Sequence, residues 1–289
     1  MKVRPECLSC LFDRAIFEAD LALNDDHKKI AFLKELLRFA SDNFNLDATP
    51  AKIGTERERI LSRISGNADP YLELKRKSNA VAVTLLELAK KSYERADDKL
   101  KTLLAIAAAG NSMEYGVRGH RFDHRTFQPE FERLLKEPIV GDVEAVLDAI
   151  KRSSKVLYLT DNAGEIVFDL FLIKALIERG KKVVISPKSS PIMNDATVDD
   201  VKQYADFDLE VVPSGSFIGL SLDEANEDLL KVLWDEEYLV IAKGMGNYEM
   251  ISEFEDQLKG RLIYIFRAKC IPVARSVGVN QGELVAVMR

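Results

Sequence analysis

Leu157-Tyr-Leu-Thr-Asp-Asn-Ala-Gly-Glu165 joins the end of an apolar run, Val156 to Thr160, to a pair of oxygen-bearing side chains, Asp161 and Asn162. The run reads as a buried strand. Ligands in open α/β sheets gather at the carboxyl ends of strands, where loops vary freely and helix N-termini point amides at anions. Asp161 is therefore the first candidate for an active-site residue. Further short β-branched runs follow at Val183 to Ser186, Leu209 to Val212, Leu239 to Ala242, Leu262 to Phe266 and Leu284 to Val287, each separated by helical sequence. Strands alternating with helices imply βαβ units and a mostly parallel sheet with helices on both faces.

Upstream the style is different. Leu8, Leu11, Phe12, Ala15, Ile16 and Ala19 recur at helical steps and form one apolar stripe, and Leu33, Leu36, Leu37 and Ala40 repeat it. Thr49-Pro50 and Asp69-Pro70 each place a capping residue before a proline suited to a first helical turn. The run Leu100 to Ala109, closed by Gly110-Asn111, is expected to be an interior helix that stops at glycine. Residues 112–140 carry Gly116, Gly119, Pro129 and Pro138 and read as a long connection with a short helix near Glu130 to Leu135. The expected fold class is α/β: a mainly helical N-terminal domain, residues 1–135, packed on a Rossmann-like α/β/α domain, residues 136–289, with a mostly parallel sheet.

Bulk composition is compatible with such a fold. Hydrophobic residues make up 47% of the 289 and charged residues 30%, so a sizeable core can be buried without help from disulfides. Net charge is −6, and no window gathers Lys and Arg with aromatics, which argues against nucleic acid as the main partner. No segment approaches the ~18 consecutive apolar residues of a membrane span, and the start MKVRPECLSC lacks an apolar signal core. With three cysteines, too few for a disulfide scaffold, a cytoplasmic location is expected.

Three strand ends carry polar clusters: Asp161-Asn-Ala-Gly-Glu165, the segment Ser189 to Asp200, and Lys243-Gly-Met-Gly-Asn-Tyr-Glu249. In a doubly wound sheet these ends face one side, so Asp161, Asn162, Asn194, Asp195 and Lys243 can converge. Carboxylate and amide oxygens without nearby Cys or His suit a hard divalent cation such as Mg²⁺ or Mn²⁺, which commonly engages substrate phosphate. Lys243, with the exposed amides of Gly244 and its neighbours, would complement a phosphoryl group. Lys243-Gly-Met-Gly is neither a P-loop nor a dinucleotide fingerprint. Taken singly, Asp and Asn after a strand are often turn formers or helix caps, and Asp195 can simply cap the helix that follows. Three such loops at strand ends favour a shared site.

Cys7-Leu-Ser-Cys10 has a spacing used by metal and redox sites alike, and Cys270 is a third candidate for a second metal or redox site. Small buried hydrophobes on an amphipathic helix are the other reading. His120-Arg-Phe-Asp-His124 lies among glycines that argue against a helix, and a surface or substrate-loop role is expected there. His27, among Asp25, Asp26 and Lys28, is expected to be solvated.

The chain resembles the domain of unknown function 89 proteins, metal-dependent damage-control phosphatases of the ARMT1-like fold, and specifically the branch with an N-terminal Cys-x-x-Cys. The resemblance covers nearly the whole chain. It rests on Pro5-Glu-Cys-Leu-Ser-Cys10, Asp69-Pro-Tyr-Leu-Glu-Leu-Lys-Arg-Lys-Ser-Asn79, Ala109-Gly-Asn-Ser-Met-Glu114, Asp161-Asn-Ala-Gly-Glu165, Asn194-Asp-Ala-Thr197 and Lys243-Gly-Met-Gly-Asn-Tyr-Glu249. It implies a helical domain packed on an α/β/α domain, a divalent metal (Mn, Mg, Co or Ni) held at Asp161, Asn162 and Asp195, and substrate phosphate meeting Lys243. A Gly-Asn-x-x-Asp element of the family is matched by Gly110-Asn111 but ends here in Glu114, and Asn111 is carried over as a site residue. The implied activity is hydrolysis of phosphate monoesters of small metabolites, including sugar phosphates and damaged metabolites.

The candidate set is therefore Asp161 and Lys243 as catalytic residues, Asp161, Asn162 and Asp195 at the metal, and Asn111, Glu165, Asn194, Lys243 and Gly244 at the substrate. Asp161, Asp195, Glu165 and Glu114 compete to orient the attacking water, and Asp161 as a covalent nucleophile stays open. Two other functions fit the same fold: a methyltransferase with a nucleoside cofactor at the first strand end, and a non-catalytic binder of phosphorylated metabolites. The absence of a glycine-rich first loop weighs against the methyltransferase.

Overall fold

The computed structural model describes residues 1–289. Six helices open the chain: α1 (Pro5–Ala22), α2 (Asp26–Asn43), α3 (Pro50–Ser65), α4 (Leu72–Arg95), α5 (Lys99–Gly110) and α6 (Phe127–Leu134). Thereafter come β1 (Ile139–Val140), α7 (Val143–Arg152), β2 (Lys155–Leu159), α8 (Glu165–Glu178), β3 (Lys182–Ser186), α9 (Val198–Tyr204) and β4 (Glu210–Val211). The chain closes with α10 (Glu227–Trp234), β5 (Tyr238–Lys243), α11 (Gly244–Ile251), a 3₁₀ turn (Glu255–Leu258), β6 (Leu262–Arg267), α12 (Ile271–Val277) and β7 (Leu284–Met288). Local chemistry marks several starts: Pro50 opens α3, and the Asp98 carboxylate accepts from the Lys101 amide at 3.0 Å to begin α5. Asp69-Pro70 behaves otherwise, since α4 begins two residues later at Leu72 and the Asp69 carboxylate pairs with buried Lys75 at 2.5 Å.

The seven strands lie in the order β1-β7-β6-β5-β2-β3-β4. From β6 to β4 every pairing is parallel; β7 runs antiparallel to β6 and carries β1 beside it. The six runs read as strands all form strands. β1 escaped because two residues have no periodicity to read.

Because side chains alternate across a strand, each central strand feeds two cores. Val156, Tyr158, Val183, Ile185, Leu239, Ile241, Ile263 and Ile265 join one cluster with α4, α5, α7 and α8. Leu157, Leu159, Val184, Val240, Ala242, Tyr264 and Phe266 join another with α10, α11 and α12. The N-terminal half is thus not separate: α4 and α5 form part of one layer of the sandwich. Only α1, α2 and α3 hold a core of their own, built on Ala15, Ala19, Phe32, Leu36, Ile60 and Leu61. Arg14 of α1 and Arg57 of α3 reach from these helices to Met193, in the loop after β3.

Candidate active site

β2 sits between β5 and β3, so the loops leaving β2, β3 and β5 emerge side by side on the same edge of the sheet. The chain winds away from β2 in opposite directions to β3 and to β5, which makes this a topological switch point. The first two loops are knitted together. Asn162 and Asp195 are partners in an isolated bridge, the Ala163 amide donates to Asn194 O at 2.8 Å, and the Ala196 amide donates to Asp161 O at 2.7 Å. Asp161, Asn162 and Asp195 open together into one cavity of about 420 Å³.

None of the three is spent on local capping. The N-cap of α8 is Gly164, whose amide donates to Asn79 of α4, and α9 is capped by Thr197 with Asp200. Asp195 is left free for other work: its Oδ2 is buried with no hydrogen-bond partner, 3.7 Å from Lys188 Nζ. Burial, opposed by Lys188, pushes the Asp195 carboxyl up to about 7. Asp161 is also displaced well upward, by burial first and then by the nearby Glu165 and Asp195 charges. Crowded, desolvated carboxylates of this kind need a compensating positive charge.

Asp161 is held from behind. Its Oδ2 accepts from Asn111 Nδ2 at 2.8 Å and from Asn162 Nδ2 at 2.7 Å, while Oδ1 has no partner inside the protein. Both amides also donate to Glu165 Oε2, at 2.7 and 2.8 Å. Asn194 Nδ2 in turn donates to Asn162 Oδ1 at 2.9 Å. Glu165 anchors Lys243, whose ammonium donates to Glu165 Oε1 at 2.5 Å, Asp169 Oδ1 at 2.7 Å and Ala107 O at 3.1 Å. Three donors meet three acceptors, and the lysine is 0% exposed.

The placement corrects part of the sequence reading. Asp161, Asn162 and Asp195 line the cavity; Asn111, Glu165, Asn194 and Lys243 do not. Lys243, expected at the substrate phosphate, spends its donors in this structure on a buried ion pair and a backbone carbonyl. Glu165 is likewise turned to Lys243 and to the two amides, Asn111 steadies Asp161 and Glu165, and Asn194 steadies Asn162. Gly244 also stands outside the lining, at φ +77°, with its Cα against the Asp161 carboxylate.

Glu114 does line the cavity. Burial would raise its carboxyl, but Lys269 and Arg14 overcome that and hold it at about 2. Arg14 Nη2 donates to it at 2.7 Å, and Lys269 also meets Asn111 O at 2.7 Å. Arg14, Arg57 and Glu249 also line the cavity, and Lys188 and Lys269 back Asp195 and Glu114; none of the five is among the candidates drawn from sequence. Lys188 follows a strand end and had a signal; the two arginines sit in ordinary charged helical sequence and had none.

Cys7, Cys10 and Cys270 are free thiols that line another part of the same cavity. Burial pushes Cys7 up to about 11 and Cys270 up to about 12, so both stay protonated near neutral pH. No group of three or more His, Cys, Asp or Glu side chains is arranged to hold a metal ion. The orphaned Asp195 Oδ2 and the all-oxygen donor set fit a hard divalent ion.

His120 and His124 lie off any helix, as the glycines indicated. His120 Nε2 contacts Ser112 O at 2.8 Å, and burial beside Lys269 lowers it to about 4.

Comparison with known proteins places the geometry. The Damage-control phosphatase ARMT1-like domain matches residues 3–285. A damage-control phosphatase of Archaeoglobus fulgidus is 37% identical over 293 residues, covering 99% of each chain. A damage-control phosphatase of Pyrococcus horikoshii is 32% identical over 292 residues, covering 99% of this chain and 98% of the other. The crystal structure of a DUF89 family protein from Pyrococcus horikoshii superposes with a TM-score of 0.86 at 29% identity, covering 100% of this chain and 99% of the other. With the match running almost end to end and the fold in agreement, this chain belongs to the damage-control phosphatase ARMT1-like family.

Proposed function

We propose that this phosphatase hydrolyses phosphate monoesters of small metabolites, sugar phosphates or related damaged metabolites, in the cavity of Asp161, Asn162 and Asp195. These three would hold a divalent cation, Mn²⁺, Mg²⁺, Co²⁺ or Ni²⁺. The observation that carries the reading is the locking of two strand-end loops so that buried acids from both, one with an orphaned oxygen, open into the same cavity.

The chemistry such a cation would supply, held by these residues, is polarisation of the phosphoryl oxygens and activation of water. The protein's share is preorganisation. Asn111 and Asn162 fix one Asp161 oxygen and leave the other free toward the cavity. Lys188 sits behind Asp195 and offsets part of its charge. Among the acids considered for orienting water, Asp161, Asp195 and Glu114 face the cavity, and Glu114 stays ionised at neutral pH.

No helix of the chain is long and apolar enough to cross a membrane. We place the enzyme in the cytoplasm, in keeping with three unpaired cysteines. The test is release of phosphate from an aryl phosphate with each of the four metals and with chelator. Metal-dependent turnover is expected; binding of phosphorylated compounds without turnover under every metal would favour the non-catalytic binder instead.

A further inference from the structure

We propose that Arg14 and Arg57, on the helical wall of the cavity, form the clamp that takes the phosphoryl oxygens of the substrate, the task that Lys243 is too buried to perform. This rests on the phosphatase reading. Both arginines line the cavity, and they are only 7% and 2% exposed.

Each guanidinium is anchored on one side and open on the other. Arg57 gives Nε and Nη2 to Glu18, at 2.5 and 2.8 Å, and Glu18 is held further by the Tyr71 hydroxyl at 2.9 Å. Nη1 of Arg57 makes no hydrogen bond within the protein. Arg14 gives Nη2 to Glu114 and to Tyr115 O, but its Nη1 finds only the Met193 sulfur, at 3.4 Å. Arg57 Nη2 reaches the same sulfur at 3.6 Å. A thioether is a weak acceptor for a buried cation, so strong donors remain available on the cavity side. Met193 has the one positive φ outside glycine, +47°, and lies two residues before Asp195. The turn that presents Asp195 therefore also sets the sulfur between the two guanidiniums.

Position points the same way. Arg14 is paired with Glu114, and Arg57 with Glu18 and, at 3.5 Å, Glu58, so each cation is fixed in place while part of its donor fork stays unspent. Two anchored guanidiniums in the same cavity as two metal-site acids suit an anion lying between them. Planar forks are suited to phosphate oxygens, where a lysine offers only a point charge.

The test compares the wild type with Arg57→Lys and Arg14→Lys, which keep a cation for Glu18 and Glu114 but remove the second N–H fork. Inorganic phosphate binding is measured by calorimetry in chelator, and KM, kcat and Mn²⁺ affinity are measured on an aryl phosphate. Thermal melts confirm that each variant is folded. If a lysine variant does not fold, heteronuclear NMR of the wild-type arginine side chains replaces it: the Arg14 and Arg57 guanidinium signals are expected to shift on phosphate addition in chelator, and unshifted signals overturn the clamp. The clamp predicts that phosphate affinity weakens roughly tenfold or more in the lysine variants, with KM rising in parallel and Mn²⁺ affinity unchanged. Unaltered phosphate affinity in folded variants, or no phosphate binding by the wild type in chelator, overturns it. Arginine-dependent phosphate binding in a protein that hydrolyses no ester would keep the clamp and remove the phosphatase reading.

Discussion

A Cβ on Gly244 would stand 1.9 Å from Asp161 Oδ2, with Gly244 itself at φ +77°. The first residue of α11 is thus glycine for two reasons, conformation and room for the Asp161 carboxylate. Gly244→Ala should displace the Asp161 side chain. A shift of about 1 Å at such a group commonly costs on the order of 100-fold in rate. Steady-state kinetics on an aryl phosphate check this, and near-normal kcat/KM in the alanine variant would detach Gly244 from the site.

Asp161→Asn keeps the shape of the side chain and removes its charge. Metal-dependent phosphatase activity should fall at least about 100-fold, since an anionic oxygen is replaced by a neutral, weaker one at the cation. The fold should survive, because one of several crowded carboxylates is relieved. Full activity in the folded variant would refute the assignment of Asp161.

Lys243 separates a structural from a catalytic lysine. Removing one partner of a buried ion pair costs about 3–5 kcal/mol, so Lys243→Met should shift the urea midpoint strongly. In the fraction that stays folded, KM should hold. A raised KM at unchanged stability would restore the direct phosphate contact expected from sequence.

His120 supplies a pH test of stability. Its folded value, about 4, lies below the ordinary 6.5, so the folded state resists taking up a proton that the unfolded chain accepts. Its stabilising contribution is complete above pH 6.5 and is lost as pH falls toward 4, amounting to roughly 3 kcal/mol across that window. His120→Asn should flatten the stability curve there, and an unchanged slope in denaturant titrations would remove the histidine from the account.

The strands could be read because each is a short β-branched run bounded by polar loops, and that periodicity survives in one dimension. The convergence of Asp161, Asn162 and Asp195 on one cavity was legible for a related reason: a parallel sheet brings its strand ends to one edge whatever the helices do. What sequence could not reveal is depth. Lys243 and Gly244 follow a strand end just as Asp161 does, yet Lys243 turns into the core toward Glu165 and Asp169, which only the packing of α5 and α8 decides. Arg14 and Arg57 are hidden in the opposite sense. Their helices look like ordinary amphipathic surface, and only the docking of α1 and α3 over the sheet edge turns two charged side chains into a cavity wall. The pattern of residues along the chain determined the sheet and its loops; burial, which depends on contacts distant in sequence, decided which polar groups face the cavity and which hold it in place.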